Sequence, residues 1–154
     1  MTKKRALRIE LIRSKMADIE ESVNLVEANL PTSFEEFSEL GLVKDGIYKR
    51  MEFSIESIID ILSIINSDLR LSIPEDEEDV VENLGCNGIL TQSMVDKVRR
   101  MKGFRNIIVH RYGRIDDLLA YKILTENLQD FGEFMESIDQ FLEENSAKTK
   151  KLDS

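Results

Sequence analysis

Within the segment Arg105-Asn106-Ile107-Ile108-Val109-His110-Arg111-Tyr112 lies the chain's only histidine, with a guanidinium five residues before it and a phenol two residues after. Imidazole gives or takes a proton near neutrality, because its unperturbed pKa is about 6.5. A fixed guanidinium can hold a phosphate by two parallel hydrogen bonds. Together they suit cleavage of a phosphodiester. Helix geometry restricts that reading: at 100° per residue, Arg105 and Tyr112 fall about 20° apart, while His110 lies about 140° round from Arg105. One straight helix therefore cannot aim all three groups at a single phosphate. Either the chain unwinds from His110 to Gly113, or a second copy of the helix supplies the missing group across a two-fold axis, which would also double the positive potential of the cleft. The second arrangement is the one expected. On spacing alone, structural roles outweigh the catalytic one: a histidine before Gly113 as a helix cap, an arginine paired with a carboxylate, a tyrosine that packs.

The elements that must position these groups all read as helices. From Lys4 to Leu30, Leu7, Leu11, Ile12, Met16, Ile19, Val23, Val26 and Leu30 recur at steps of three and four, and Pro31 closes the run. Ser33 caps a short turn carrying Phe37 and Leu40, which Gly41 ends. A second long helix is expected from about Asp45 to Leu69; its isoleucines could suggest strands, but helical spacing persists with no turn residue inside. Pro74 and the acids Glu75 to Asp79 open a short helix, and Gly85-Cys86-Asn87-Gly88 breaks the chain. Thr91 or Ser93 caps the helix that carries Met94, Val98, Met101, Phe104, Ile107 and Ile108 toward His110. Asp116 caps a last helix running through Leu142, and Ser146 to Ser154 is polar. The expected fold is all-α, an antiparallel four- to five-helix bundle forming a single domain over 1–145 with a flexible tail at 146–154.

Composition narrows the function classes. At 154 residues the chain can bury one core without staples. A lone Cys86 and a lone His110 cannot assemble a zinc site from nitrogen and sulfur ligands, so neither a metal nor another cofactor is expected. No apolar signal core follows the basic start, and no apolar run reaches the roughly 18 residues of a membrane span, so the expected location is cytoplasmic, with no membrane contact. Net charge is −9, against a general nucleic-acid coat. Seven of the 21 basic residues, however, sit in an acid-free window of 18: Lys97, Arg99, Arg100, Lys102, Arg105, Arg111 and Arg114. RNA contact would be confined to that window, with Lys102, Arg111 and Arg114 as binding residues beside the motif.

Arg105-Asn106-x-x-x-His110-x-Tyr112 resembles the R-x4-H-x-Y signature of the HEPN superfamily, in which a polar residue commonly follows the arginine. Pro74 to Leu90 is similar to the segment that precedes the signature in HepT-like toxins, the partners of minimal nucleotidyltransferase antitoxins; Met101-Lys102-Gly103-Phe104 before it and Ile115-Asp116 after it also fit. The resemblance implies a helical, homodimeric, metal-independent ribonuclease toxin. By that likeness, Arg105 binds the scissile phosphate, His110 handles the proton, Asn106 orients the pair and Asp79 is the accompanying acid. Tyr112 resembles the tyrosine that the antitoxin modifies with AMP. Because the superfamily includes binding partners, the rival expectation is a non-catalytic helical dimer that supports a nucleotidyltransferase.

Overall fold

The computed structural model describes residues 6–109 and 113–153, with side chains up to residue 148. Among the described residues there are seven helices and no strand: α1 (Ile9–Asn29), α2 (Phe34–Ser38), α3 (Leu42–Asp68), α4 (Glu77–Cys86), α5 (Gln92–Ile108), α6 (Asp117–Asn127) and α7 (Gln129–Asp153). No helix among the described residues is long and apolar enough to cross a membrane.

The centre of the fold is α3. Ile58, Ile59, Ile61 and Leu62 are all buried, so this helix is apolar over most of its circumference and must be wrapped by others. Its isoleucines are helical, as their spacing requires, and tertiary packing overrides their strand preference. Helix α1 lies along α3 through the most extensive helix contact in the fold. The two run antiparallel: Arg8 reaches Asp68, Lys15 reaches Asp60 and Arg50 reaches Ser22, so the start of one meets the end of the other. Helices α4 and α5 pack on another side of α3, α7 lies against α1, and α6 joins α2 and α5.

Two elements differ from the sequence reading. The single last helix expected from Asp116 is divided at Leu128 into α6 and α7. The reason is local: the Thr125 hydroxyl donates to the Lys122 carbonyl, competing with the backbone ladder, and Asn127 is a poor helix former. The break turns Ala120 and Leu124 inward on α6 and Phe131, Phe134 and Ile138 inward on α7. At the far end, α7 continues as helix to Asp153, beyond the boundary expected at residue 145. Helix α1 begins at Ile9 rather than Lys4, the latter lying outside the described residues.

An ion pair on a buried carboxylate closes the α1–α3 hairpin. Asp68 is fully buried, and its carboxylate accepts from the backbone N–H of Arg8 at 3.0 Å and from the Arg8 guanidinium at 3.0–3.1 Å. Arg8→Ala removes the half-exposed guanidinium but keeps the backbone N–H on Asp68, and is expected to destabilise the protein by about 1.5 kcal/mol, lowering the melting temperature by roughly 4 °C in circular dichroism. An unchanged melting temperature would show that solvent satisfies Asp68.

Candidate active site

The site is assembled where the end of α5 meets the start of α4. Helix α4 starts there because Asp76 caps it: its carboxylate accepts from the Asp79 N–H at 2.9 Å, while the Asp79 carboxylate accepts from the Glu75 N–H at 2.9 Å. Short acidic side chains thus turn back onto the helix start, and the longer Glu77 and Glu78 reach outward. Helix α5 starts at Thr91, whose hydroxyl accepts from the Met94 N–H, and buries Met94, Val95, Val98, Met101, Phe104 and Ile108. With that face committed to the core, Arg105 in the last turn faces α4.

Arg105 and Glu77 meet fork to fork. Nη1 donates to Oε1 at 3.2 Å and Nη2 to Oε2 at 2.8 Å, with the arginine side chain only 18% exposed. The hydrogen bonds from Arg105 hold the Glu77 carboxyl below the usual carboxylate range, outweighing the effect of burial. The same bonds raise the pKa of Arg105, so its charge is permanent. Two of the five guanidinium N–H donors are engaged in this way.

Beside Arg105 a polar cavity of about 490 Å³ is lined by Glu52, Glu56, Arg105, Asn106 and Val109. Asn106 is exposed at its edge. On another side of α5, a mostly apolar cavity of about 270 Å³ lies among Met51, Phe104, Ile107, Leu124 and Phe131.

The helix ends at Ile108, and Val109 is already extended, with φ −92° and ψ 106°. The helical turn on which the 140° separation rests is therefore not continued at Val109. His110, Arg111 and Tyr112 lie outside the described residues. The chain resumes at Gly113, whose φ of 126° is a backbone conformation that favours glycine. It is then pinned at Asp117, the first residue of α6: Lys44 donates to its Oδ2 at 2.8 Å and the Tyr48 hydroxyl to its Oδ1 at 2.5 Å. Burial raises the Asp117 carboxyl, but the Lys44 and Tyr48 hydrogen bonds prevail and hold it below the usual range. Burial, and then the Asp117 hydrogen bond, push the Tyr48 phenol upward, so it stays protonated as donor. Arg105 before the undescribed residues and Asp117 after them are thus each tied to another helix.

Of the residues expected at the site, Arg105 and Asn106 come together at the polar cavity, and Lys102 lies one turn earlier with Nζ 3.3 Å from Glu78. Arg114 is exposed. Asp79, expected as the accompanying acid, is spent on the helix cap; the carboxylate on Arg105 is Glu77. Sequence reasoning also missed Glu52 and Glu56, which sit one turn apart on α3, at a spacing that gives no sign of a neighbour on α5.

The family described as "Ribonuclease HepT-like" matches residues 19–138. The protein named mRNA nuclease HepT of Shewanella oneidensis is 26% identical over 129 residues, covering 84% of this chain and 96% of its own. A protein of Archaeoglobus fulgidus is 31% identical over 98 residues, 64% of this chain and 74% of its own. Among solved structures, a tri-AMPylated Shewanella oneidensis HEPN toxin in complex with an MNT antitoxin superimposes with a TM-score of 0.76 at 26% identity, covering 84% of this chain and 97% of that one. The Bacillus subtilis cytosolic protein YutE shares the fold alone, at 16% identity and a TM-score of 0.76 over 90% of this chain and 93% of its own. With the family match spanning most of the bundle and the R-x4-H-x-Y residues falling inside it, the chain belongs to the HepT-like ribonuclease family.

Proposed function

We propose that the protein is the toxin of a two-component system: an RNA endonuclease that works without a metal, as a homodimer, and is silenced when a minimal nucleotidyltransferase antitoxin transfers AMP to Tyr112. The observation that carries this reading is the position of Arg105. In a chain of a ribonuclease family, the arginine of the motif is held by Glu77 at the edge of an open polar cavity, with Asn106 beside it and His110 five residues on.

The chemistry follows from the groups. Arg105 binds the non-bridging oxygens of the scissile phosphate and stabilises the charge that builds on them. The ribose 2′-oxygen attacks phosphorus and the bond to the 5′-oxygen breaks, so one proton must leave the 2′-hydroxyl and one must reach the 5′-oxygen. His110 handles one of these transfers, and the matching His110 of a second copy stands ready for the other. Asn106 orients the pair. AMP on Tyr112, attached through its phenol oxygen with pyrophosphate leaving the nucleotide, places bulk and negative charge beside a phosphate site and repels the substrate.

Purified protein incubated with RNA and a chelator is expected to cut it. Arg105→Ala and His110→Ala are each expected to lower the rate at least a hundredfold. Cleavage that survives both substitutions, or is absent from the unmodified protein, would overturn the ribonuclease reading and leave the non-catalytic partner in its place. Co-expression with a nucleotidyltransferase encoded beside it should add AMP to Tyr112 by mass analysis and suppress cleavage, whereas modification at any other residue would remove Tyr112 from the proposal.

Glu77 provides a second check, through pH. Its folded pKa lies below the ordinary value of 4.5, so its pairing with Arg105 contributes stability above pH 4.5 and loses it as pH falls through the lower, folded value. Glu77→Gln should therefore melt below wild type at pH 7, with the difference shrinking steadily below pH 4.5. It should also slow cleavage about tenfold, because the guanidinium loses its brace. A difference constant with pH would mean that the ion pair does not contribute to it.

A further inference from the structure

Resting on the RNA-cleaving reading above, we infer that Arg99 and Lys102 form a second phosphate subsite for the same RNA strand, and that the carboxylate of Glu78 occupies it in the free protein. Glu78 offers one oxygen to each cation: Arg99 Nε donates to Oε1 at 2.6 Å and Lys102 Nζ to Oε2 at 3.3 Å. Asp96 lies 3.9 Å from the Arg99 guanidinium on the same helix. An anionic group with two oxygens shared between two cations is what a backbone phosphate presents with its non-bridging oxygens. The adjacent pair repeats the arrangement, with Glu77 on Arg105.

Arg99, Lys102 and Arg105 follow one another at three-residue steps and all face the first turn of α4. They span about 9 Å along the helix axis, roughly two to three steps of a stacked strand. The other cations of α5 face elsewhere: Lys97 pairs with Glu133 and Arg100 with the buried Asp130, both on α7. The cations of α5 thus divide into two rows, and the row on the α4 side ends at Arg105.

The exchange of carboxylate for phosphate is energetically easy. Glu78 and Arg99 are 41% and 42% exposed, and ion pairs of that kind contribute only about 0–1 kcal/mol. Each phosphate contact adds a salt-dependent gain from counterion release. Glu78 therefore raises the threshold for RNA: a strand must supply enough phosphates in line to displace it.

The test uses the full chain and a 2′-O-methyl RNA oligonucleotide, which lacks the attacking hydroxyl and reports binding alone, alongside cleavage of unmodified RNA. Glu78→Gln should tighten binding about fivefold and lower KM rather than change kcat. Arg99→Gln should weaken binding about fivefold and flatten the log–log salt dependence by about 0.7, one phosphate contact on a single strand. Asp60→Asn makes the same charge change as Glu78→Gln beside Lys15, away from the row, and should leave binding within twofold. If Glu78→Gln and Asp60→Asn act alike, or Arg99→Gln keeps the wild-type salt slope, the subsite is overturned. If wild type binds as described but cuts nothing, the ribonuclease reading fails and the subsite stands. Arg99→Gln decides the matter should Glu78→Gln fail to fold.

Discussion

The two parallel hydrogen bonds between Arg105 and Glu77 join the last turn of α5 to the first turn of α4, and the arrangement of the site follows from that junction. An arginine at a helix end would ordinarily sweep a wide arc of solvent. Here its plane is fixed by a carboxylate whose own helix is fixed by the Asp76 cap, so the guanidinium meets a ligand already oriented. On the proposed reading, immobilising it before the substrate arrives lowers the ordering cost at the moment of binding. On the other side of the motif, Asp117 plays the matching part with Lys44 and Tyr48. The described residues on either side of the motif thus each carry an ion pair reinforced by hydrogen bonds.

The charge distribution has the same logic. A body with net charge −9 and a basic window looks, in one dimension, like a cationic patch on an anionic surface. In three dimensions the basic residues from Lys97 to Arg105 each meet a carboxylate from α4 or α7. The part of the window on α5 is compensated rather than bare. On the proposed reading, long-range attraction for RNA is thereby damped, and recognition is shifted toward short-range, geometry-dependent replacement of one anion by another.

Much of the fold could be read from periodicity. The spacing of Ile12, Met16, Ile19, Val23 and Val26 marks the buried stripe of α1, Ser33 and Asp116 cap the helices their positions mark, and of Thr91 and Ser93 it is Thr91 that caps α5. The division at Leu128 was not legible, because apolar spacing continues through it and only the hydroxyl of Thr125 and the weak propensity of Asn127 oppose the run. The site was legible as far as Arg105 and Asn106, since their types and spacing are local facts. Its acidic half was not. Glu75, Asp76, Glu77, Glu78 and Asp79 are interchangeable by charge, and the choice among them depends on side-chain length: the aspartates are short enough to close on the backbone, whereas the glutamates can cross to α5. Glu52 and Glu56 come from a helix some 50 residues earlier, a proximity that packing alone creates.

The buried Asp68 has a consequence for how the hairpin chooses its alignment. A stripe of isoleucine, methionine and valine along α1 would tolerate sliding against α3 by one helical turn, about 5.4 Å, because one aliphatic side chain resembles the next. A carboxylate sealed from water does not tolerate it: every slipped pairing strands that charge without its guanidinium and without the Arg8 amide. The pair thus selects a single alignment among several of nearly equal greasiness, and every residue on α3, from Tyr48 near its beginning to Glu56 at the cavity, inherits its height from that choice.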